Sequence, residues 1–90
     1  MDINDTLQER GKRYGAFRDQ AVICQGLKHV MRFSPSSKWE DLSADQQECL
    51  DMIANKVGRI LNGDPDYADS WHDIVGYAKL VEDRLNGIIK

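Results

Sequence analysis

The sequence predicts an all-α protein of one domain, residues 1–90, on three observations. Apolar residues recur at helical spacing through most of the chain, no segment alternates as a half-buried strand does, and two segments carry helix start and stop residues. Ninety residues allow one core. A chain this short covers only part of its apolar surface on folding, so self-association is expected. The expected architecture is a compact bundle of three long helices with a short N-terminal one, paired as a homodimer.

In chain order, Asp5 or Thr6 is placed to cap a short helix that runs to about Lys12 and breaks at Gly11 or Gly15. From Ala16 to about Arg32, Phe17, Ala21, Ile23, Cys24, Leu27, Val30 and Met31 mark an amphipathic helix. Gly26 within it costs about 1 kcal/mol relative to Ala. Ser34-Pro35-Ser36-Ser37 reads as a loop, after which Trp39 and Leu42 fold back over the core. Ser43-Ala44-Asp45-Gln46 is an S-x-x-Q capping box, and Leu50, Ile53, Ala54, Val57, Ile60 and Leu61 follow at i, i+3, i+4, i+7 spacing. Asn62-Gly63 ends that helix, with Gly63 expected in the left-handed conformation. The last helix is expected to begin near Asp64-Pro65-Asp66, since proline is tolerated in a first turn. Its stripe of Trp71, Ile74, Val75, Ala78, Val81 and Leu85 faces the core, and Asn86-Gly87 stops it.

Hydrophobic residues make up 41% and charged residues 30%, which fits a folded chain rather than a disordered one. A net charge of −3 argues against a broad nucleic-acid surface. No apolar run approaches the roughly 20 residues that span a bilayer. The N-terminal Met1-Asp2-Ile3-Asn4-Asp5 is unlike a secretory or transit signal, so a cytoplasmic location without membrane partners is expected. Cys24 and Cys49 stand outside any CxxC or Cys/His spacing and read as reduced, buried thiols. With His29 and His72 the only histidines, hydrolase triads and zinc-peptidase motifs are missing, as are phosphate-loop and dinucleotide glycine patterns.

Candidate site residues lie on the polar faces. In the last helix Asp66, Asp69, Asp73, Tyr77, Leu80 and Arg84 share a face turned away from the apolar stripe. Asp69 and Asp73, one turn apart, are either acids favoured by the helix dipole or two ligands for magnesium, a hard cation that prefers carboxylate oxygens. Tyr77 and Leu80 beside Asp66 imply a second packed surface there, a dimer interface or a ligand cleft. The preceding helix carries Glu48, Asp51, Met52, Asn55, Arg59 and Asn62 on one stripe, which reads as a solvated face of ion pairs. If it faces Asp69 and Asp73, then Glu48 and Asp51 complete a four-carboxylate metal site, and Lys56 and Arg59 meet phosphate. Arg10, Lys12, Arg13 and Arg18, interleaved with Tyr14 and Phe17, are either a solvated basic segment or a patch for a nucleotide phosphate or an acidic partner.

Three blocks carry a resemblance: Glu9-Arg10-Gly11-Lys12-Arg13-Tyr14-Gly15, Asn55-Lys56-Val57-Gly58-Arg59-Ile60, and Asp69-Ser70-Trp71-His72-Asp73-Ile74-Val75-Gly76-Tyr77-Ala78. They resemble a family of small phage and prophage proteins over nearly the whole chain. Their order is similar to that of nucleotide-modification-associated phage proteins, with a tyrosine-glycine element, a Lys-x-x-Arg element and an Asp-x-x-x-Asp element. More distantly, the Asp-rich last helix resembles the second motif of the MazG-like all-α nucleotide pyrophosphohydrolases. That resemblance implies a dimeric helical bundle with magnesium held by carboxylates of two helices. The first motif of those enzymes is E-E-x-x-E, whereas this chain offers Glu48 and Asp51, with Asn55 and Lys56 where further acids are expected.

Two functions follow as expectations. In the first the chain binds nucleotide, magnesium or both, either as a binding protein or as a divergent MazG-like nucleotide pyrophosphohydrolase: Asp69, Asp73, Glu48 and Asp51 hold the metal, and Lys56, Arg59, Arg10, Lys12 and Arg13 hold phosphate. In the second it is a non-catalytic phage accessory protein that binds and inhibits a host or defence protein through an acidic surface around Asp66, Asp69, Asp73 and Tyr77, acting in the host cytoplasm.

Overall fold

The computed structural model describes residues 2–90, and among them are four α-helices, one short 3-10 turn and no strand. The Asp2 carboxylate accepts the Asp5 N–H at 3.0 Å and starts α1 (Ile3–Tyr14). This helix begins before the expected Asp5 or Thr6 cap and runs through Gly11, stopping at Gly15. No side chain of α1 is buried. After a two-residue turn comes α2 (Phe17–Phe33), and then the turn Trp39–Asp41, whose Trp39 is buried under the Arg32 guanidinium at 4.3 Å.

The helix α3 (Ala44–Asn62) opens on the expected capping box, with Ser43 N–H donating to Gln46 Oε1 at 3.0 Å. It closes at Gly63 with φ −136°, which is not the left-handed conformation expected there. Glycine is required at this position for room: a Cβ would overlap the backbone of Arg13 and Tyr14, where the end of α1 presses on the chain. The helix α4 (Ala68–Leu85) starts two to four residues later than expected. Asp64, Pro65 and Asp66 form a turn instead of a first helical turn. Asp64 N–H donates to Arg13 O at 2.6 Å, Asp66 N–H to the Asp64 carboxylate at 2.9 Å, and the Trp71 indole to Pro65 O at 2.8 Å.

The central helix is α3, with α2 and α4 packed on opposite sides of it and not against each other. On one side Asp51 meets Arg32 at 2.7 Å, and a Cβ on Gly58 would overlap the Cys24 sulfur, so the small residue sets how closely α2 and α3 approach. On the other side Asp45 meets Arg84 at 2.7 Å and Lys56 meets Asp73 at 2.9 Å. Both pairings join early residues of one helix to late residues of the other, so α2 and α4 run antiparallel to α3. The result is a helical bundle in which the three long helices lie side by side as a layer and α1 packs against α2 and α3.

A layer has two open sides, and helical phase at about 100° per residue sorts the side chains between them. Leu50, Ile53, Val57 and Leu61 of α3 occupy one side, together with Ile23, Leu27 and Val30 of α2 and Trp71, Val75, Ala78 and Leu85 of α4. Glu48, Met52, Asn55 and Arg59 of α3 occupy the other, with Asp69, Asp73 and Leu80 of α4. The stripe expected to form the core is therefore only partly covered: Ile74 and Val81 turn toward α3, while Trp71, Val75, Ala78 and Leu85 are exposed. Phe17 and Val30 of α2 are exposed as well. The buried apolar residues are Cys24, Trp39, Cys49, Ala54 and Ile60. Both cysteines are free thiols, and burial pushes Cys49 up from its ordinary pKa. No helix among the described residues is long and apolar enough to cross a membrane.

Candidate functional site

The polar side of the layer carries most of the residues singled out by the sequence, and three of its four candidate metal ligands have a local partner. Asp73 accepts from Lys56, which is 8% exposed, and that bond holds the Asp73 carboxyl below the usual aspartate range. The Tyr67 phenol donates to Asp69 at 3.0 Å, and this bond raises the Tyr67 pKa. Asp51 is taken by Arg32 on the α2 side. Glu48 lies toward the N-terminal end of α3 beside Tyr77, Leu80 and Arg84. The four acids expected to share magnesium thus point to three separate partners and a cleft. Among the described residues, no three His, Cys, Asp or Glu side chains stand together as a metal site. The donor set does not fit a shared cation in this arrangement.

The basic residues separate by partner. Of the six arginines, four are held by carboxylates: Arg13 by Glu9 at 2.6 Å, Arg18 by Asp19 at 3.3 Å, Arg32 by Asp51 and Arg84 by Asp45, the last two at 2.7 Å. Arg10 and Arg59 have no carboxylate partner among the described residues. Both line one cavity of about 460 Å³ at the junction of α1, α2 and α3, with Tyr14, Phe17 and Gln20, and no acid lines it. The Arg59 guanidinium lies 4.6 Å from the Tyr14 ring centre, and its Nε is buried without an acceptor. A buried donor left unpaired costs about 1–3 kcal/mol, more when charged, so an oxyanion in this cavity would be favoured. The Gly15-Ala16 turn places the start of α2 on the cavity wall, and Ala16 supplies no side-chain cap. Two other expected phosphate ligands are engaged elsewhere: Lys56 by Asp73, and Arg13 by Glu9 and the Tyr67 hydroxyl at 3.1 Å. Lys12 is exposed and does not line the cavity.

What holds this corner together is a set of contacts the sequence did not reveal. Asn62 donates to Tyr14 O at 2.8 Å and Ala16 O at 2.9 Å, tying the turn between α1 and α2 to the end of α3. Tyr14 and Tyr67 meet edge to face with centroids 6.2 Å apart, and Arg13 lies over Tyr67 at 4.9 Å. The aromatic residues between the arginines were the available signal; their distant partners, 48 and 54 positions along, had none.

A second cavity, about 370 Å³, contains Tyr77 and Leu80, with Glu48, Cys49, Val81 and Ile89 around them. Tyr77 and Leu80, for which either a dimer interface or a ligand cleft was expected, both line this cavity. The C-terminal tail forms one wall, held where the buried Asp83 pairs with Lys79 at 2.6 Å and Lys90 at 2.7 Å. Asp66 is exposed at the turn before α4, away from this cleft. No protein-family model, curated protein or solved structure matches the chain, so a functional reading rests on the residues that line these cavities.

Proposed function

We propose that the chain is a non-catalytic, homodimeric binding protein for a phosphorylated small molecule, a nucleotide, held in the cavity lined by Arg10 and Arg59. The observation that supports this reading is that the two arginines without carboxylate partners line the same acid-free cavity. The phosphate would be taken by the two guanidiniums, and the exposed Phe17 ring offers a surface for a base. The resemblance to phage proteins, some associated with nucleotide modification, agrees with such a ligand. Hydrolysis of the MazG-like kind is not part of the proposal, because Asp69, Asp73, Glu48 and Asp51 are not gathered for a shared magnesium.

The test is calorimetric titration with adenosine and guanosine mono- and triphosphates in the presence of a chelator, followed by a pyrophosphate-release assay with magnesium. Wild type is expected to bind at least one nucleotide. Arg59→Gln and Arg10→Gln each lose about tenfold or more in affinity, since a hydrogen bond to a charged group is worth about 1.5–3 kcal/mol. Lys12→Gln binds as wild type does. Absence of binding by wild type overturns the proposal, and magnesium-dependent pyrophosphate release replaces it with the hydrolase reading. The accessory-protein reading is favoured by one separate feature: Asp64 and Asp66 are exposed and carry no cation among the described residues. It becomes the better account if no nucleotide binds.

A further inference from the structure

The apolar side of the layer is larger than a single chain can leave in water at no cost. Leu61, Trp71 and Val75 are 67%, 52% and 63% exposed, and Val30, Leu50 and Leu85 on the same side are exposed too. The accessible surface is 6535 Å². A compact monomer of 10.3 kDa is expected to show about 5,350 Å², so the excess is roughly 1,200 Å². The Cα radius of gyration, 15.0 Å, also exceeds the value of about 12 Å expected for 90 residues. A stable pairing of two proteins buries about 800 Å² on each partner. The excess over the whole chain is of the size that one such interface covers.

We infer that this side is covered by a second copy of the same chain, two-fold related, so that two three-helix layers stack face to face. The centre of the surface, from Leu50 to Leu61 on α3 flanked by Trp71 and Val75, carries no charged side chain, so two identical copies meet there without like-charge repulsion. A two-fold interface is self-complementary by construction, and the same apolar patch serves both partners. The inference is independent of what the arginine cavity binds. It moves the interface away from the face of Tyr77 and Leu80, where the sequence suggested one, to the opposite side of the layer. The two charged sides then point outward, each with its own Arg10/Arg59 cavity open to solvent.

Sedimentation equilibrium between about 1 and 200 μM tests the inference. Wild type is expected to be a dimer across most of that range. Leu61→Glu and Val75→Glu, each at a position exposed in the single chain, are expected to sediment as monomers with helical circular dichroism retained. Leu80→Glu, on the charged side, is expected to remain dimeric. A monomeric wild type overturns the inference, as does a dimer that survives both face substitutions and dissociates with Leu80→Glu. If the face variants lose their helical signal, acrylamide quenching of wild-type tryptophan fluorescence decides. Trp39 is buried within the chain, whereas Trp71 is shielded only by the partner, so quenching should rise as the protein is diluted through dissociation. Quenching that is unchanged through dissociation overturns the inference.

Discussion

The two open sides of α3 solve different problems with the same helical geometry. On the charged side three ion pairs bridge two helices: Lys56 to Asp73 and Asp45 to Arg84 bind α3 to α4, with Arg32 to Asp51 doing the same between α2 and α3 nearby. On the apolar side no hydrogen bond or ion pair among the described residues ties one helix to the next, and the residues are large aliphatics and a tryptophan with much of their surface open. Charged pairs fix direction and register but contribute modestly when exposed. Apolar area is non-directional and contributes in proportion to the area covered. The charged side thus specifies how α2, α3 and α4 are arranged, and the apolar side holds the stabilisation that becomes available when that area is covered.

The largest effect that separates the two roles is expected from adjacent residues of α3. Ile60 is 8% exposed and packed within the chain, and Leu61 faces the apolar side. Ile60→Ala should cost about 2–5 kcal/mol at any protein concentration, the range for a truncated buried aliphatic. Leu61→Ala should cost no more than about 0.5 kcal/mol when the protein is dilute, as at other surface positions. Its cost should grow with concentration as the dimer forms, because a dimer stabilises the fold by mass action. Urea melts at two concentrations check both. Equal, concentration-independent losses would erase the distinction between the two sides.

A smaller effect concerns the charged side. Asp45, Asp73 and Asp83 are held below the ordinary aspartate range, by hydrogen bonds from Arg84, from Lys56, and from Lys79 and Lys90 respectively. For a carboxyl whose folded pKa is depressed, the unfolded chain binds more protons as pH falls, so the stability it contributes is present above the unfolded value and lost below it. Aspartate in an unfolded chain titrates near 3.9, so the melting temperature should fall as pH drops through about 4 and continue to fall below it. Asp73→Asn should flatten that slope, while Leu61→Ala should leave it unchanged. Melts from pH 6 down to 2.5 would show it, and identical slopes for wild type and Asp73→Asn would mean that the α3–α4 pair contributes nothing.

The sequence carried the helices well and their assembly poorly. The capping box at Ser43, the stop at Asn62 and the periodicity of α3 and α4 are local signals, and local physics places them. A hydrophobic stripe, however, records only that a face avoids water. It does not say whether the cover comes from the same chain or another, and so Trp71, Val75 and Leu85 were expected inside. The site was half legible for the same reason. Arg10 and Arg59 were recognisable as candidates, but the three other basic residues were equally plausible until Glu9 and Asp73 were seen to engage two of them. Asp69 and Asp73 lie one turn apart, as a shared cation requires. Their partners Tyr67 and Lys56 draw them to different bonds, and Lys56 comes from another helix.

The smallest expected effect is a null one, and it bears directly on that pair of acids. Asp69 is exposed and bonded only to the Tyr67 hydroxyl, so Asp69→Asn leaves an amide oxygen that can accept the same proton. Stability should change by no more than about 0.5 kcal/mol. A cation that binds only the folded chain raises the melting temperature by mass action, and two free carboxylates one turn apart would give such a response. Here Asp73 is already neutralised by a lysine ammonium, and a cation would have to displace it. Magnesium alone, at millimolar concentration and without nucleotide, should therefore leave the melting temperature of wild type and Asp69→Asn equally unmoved. A rise in wild type that disappears in Asp69→Asn would show that Lys56 yields its partner to the metal. It would also make the charged side a metal centre in place of a set of helix-joining pairs.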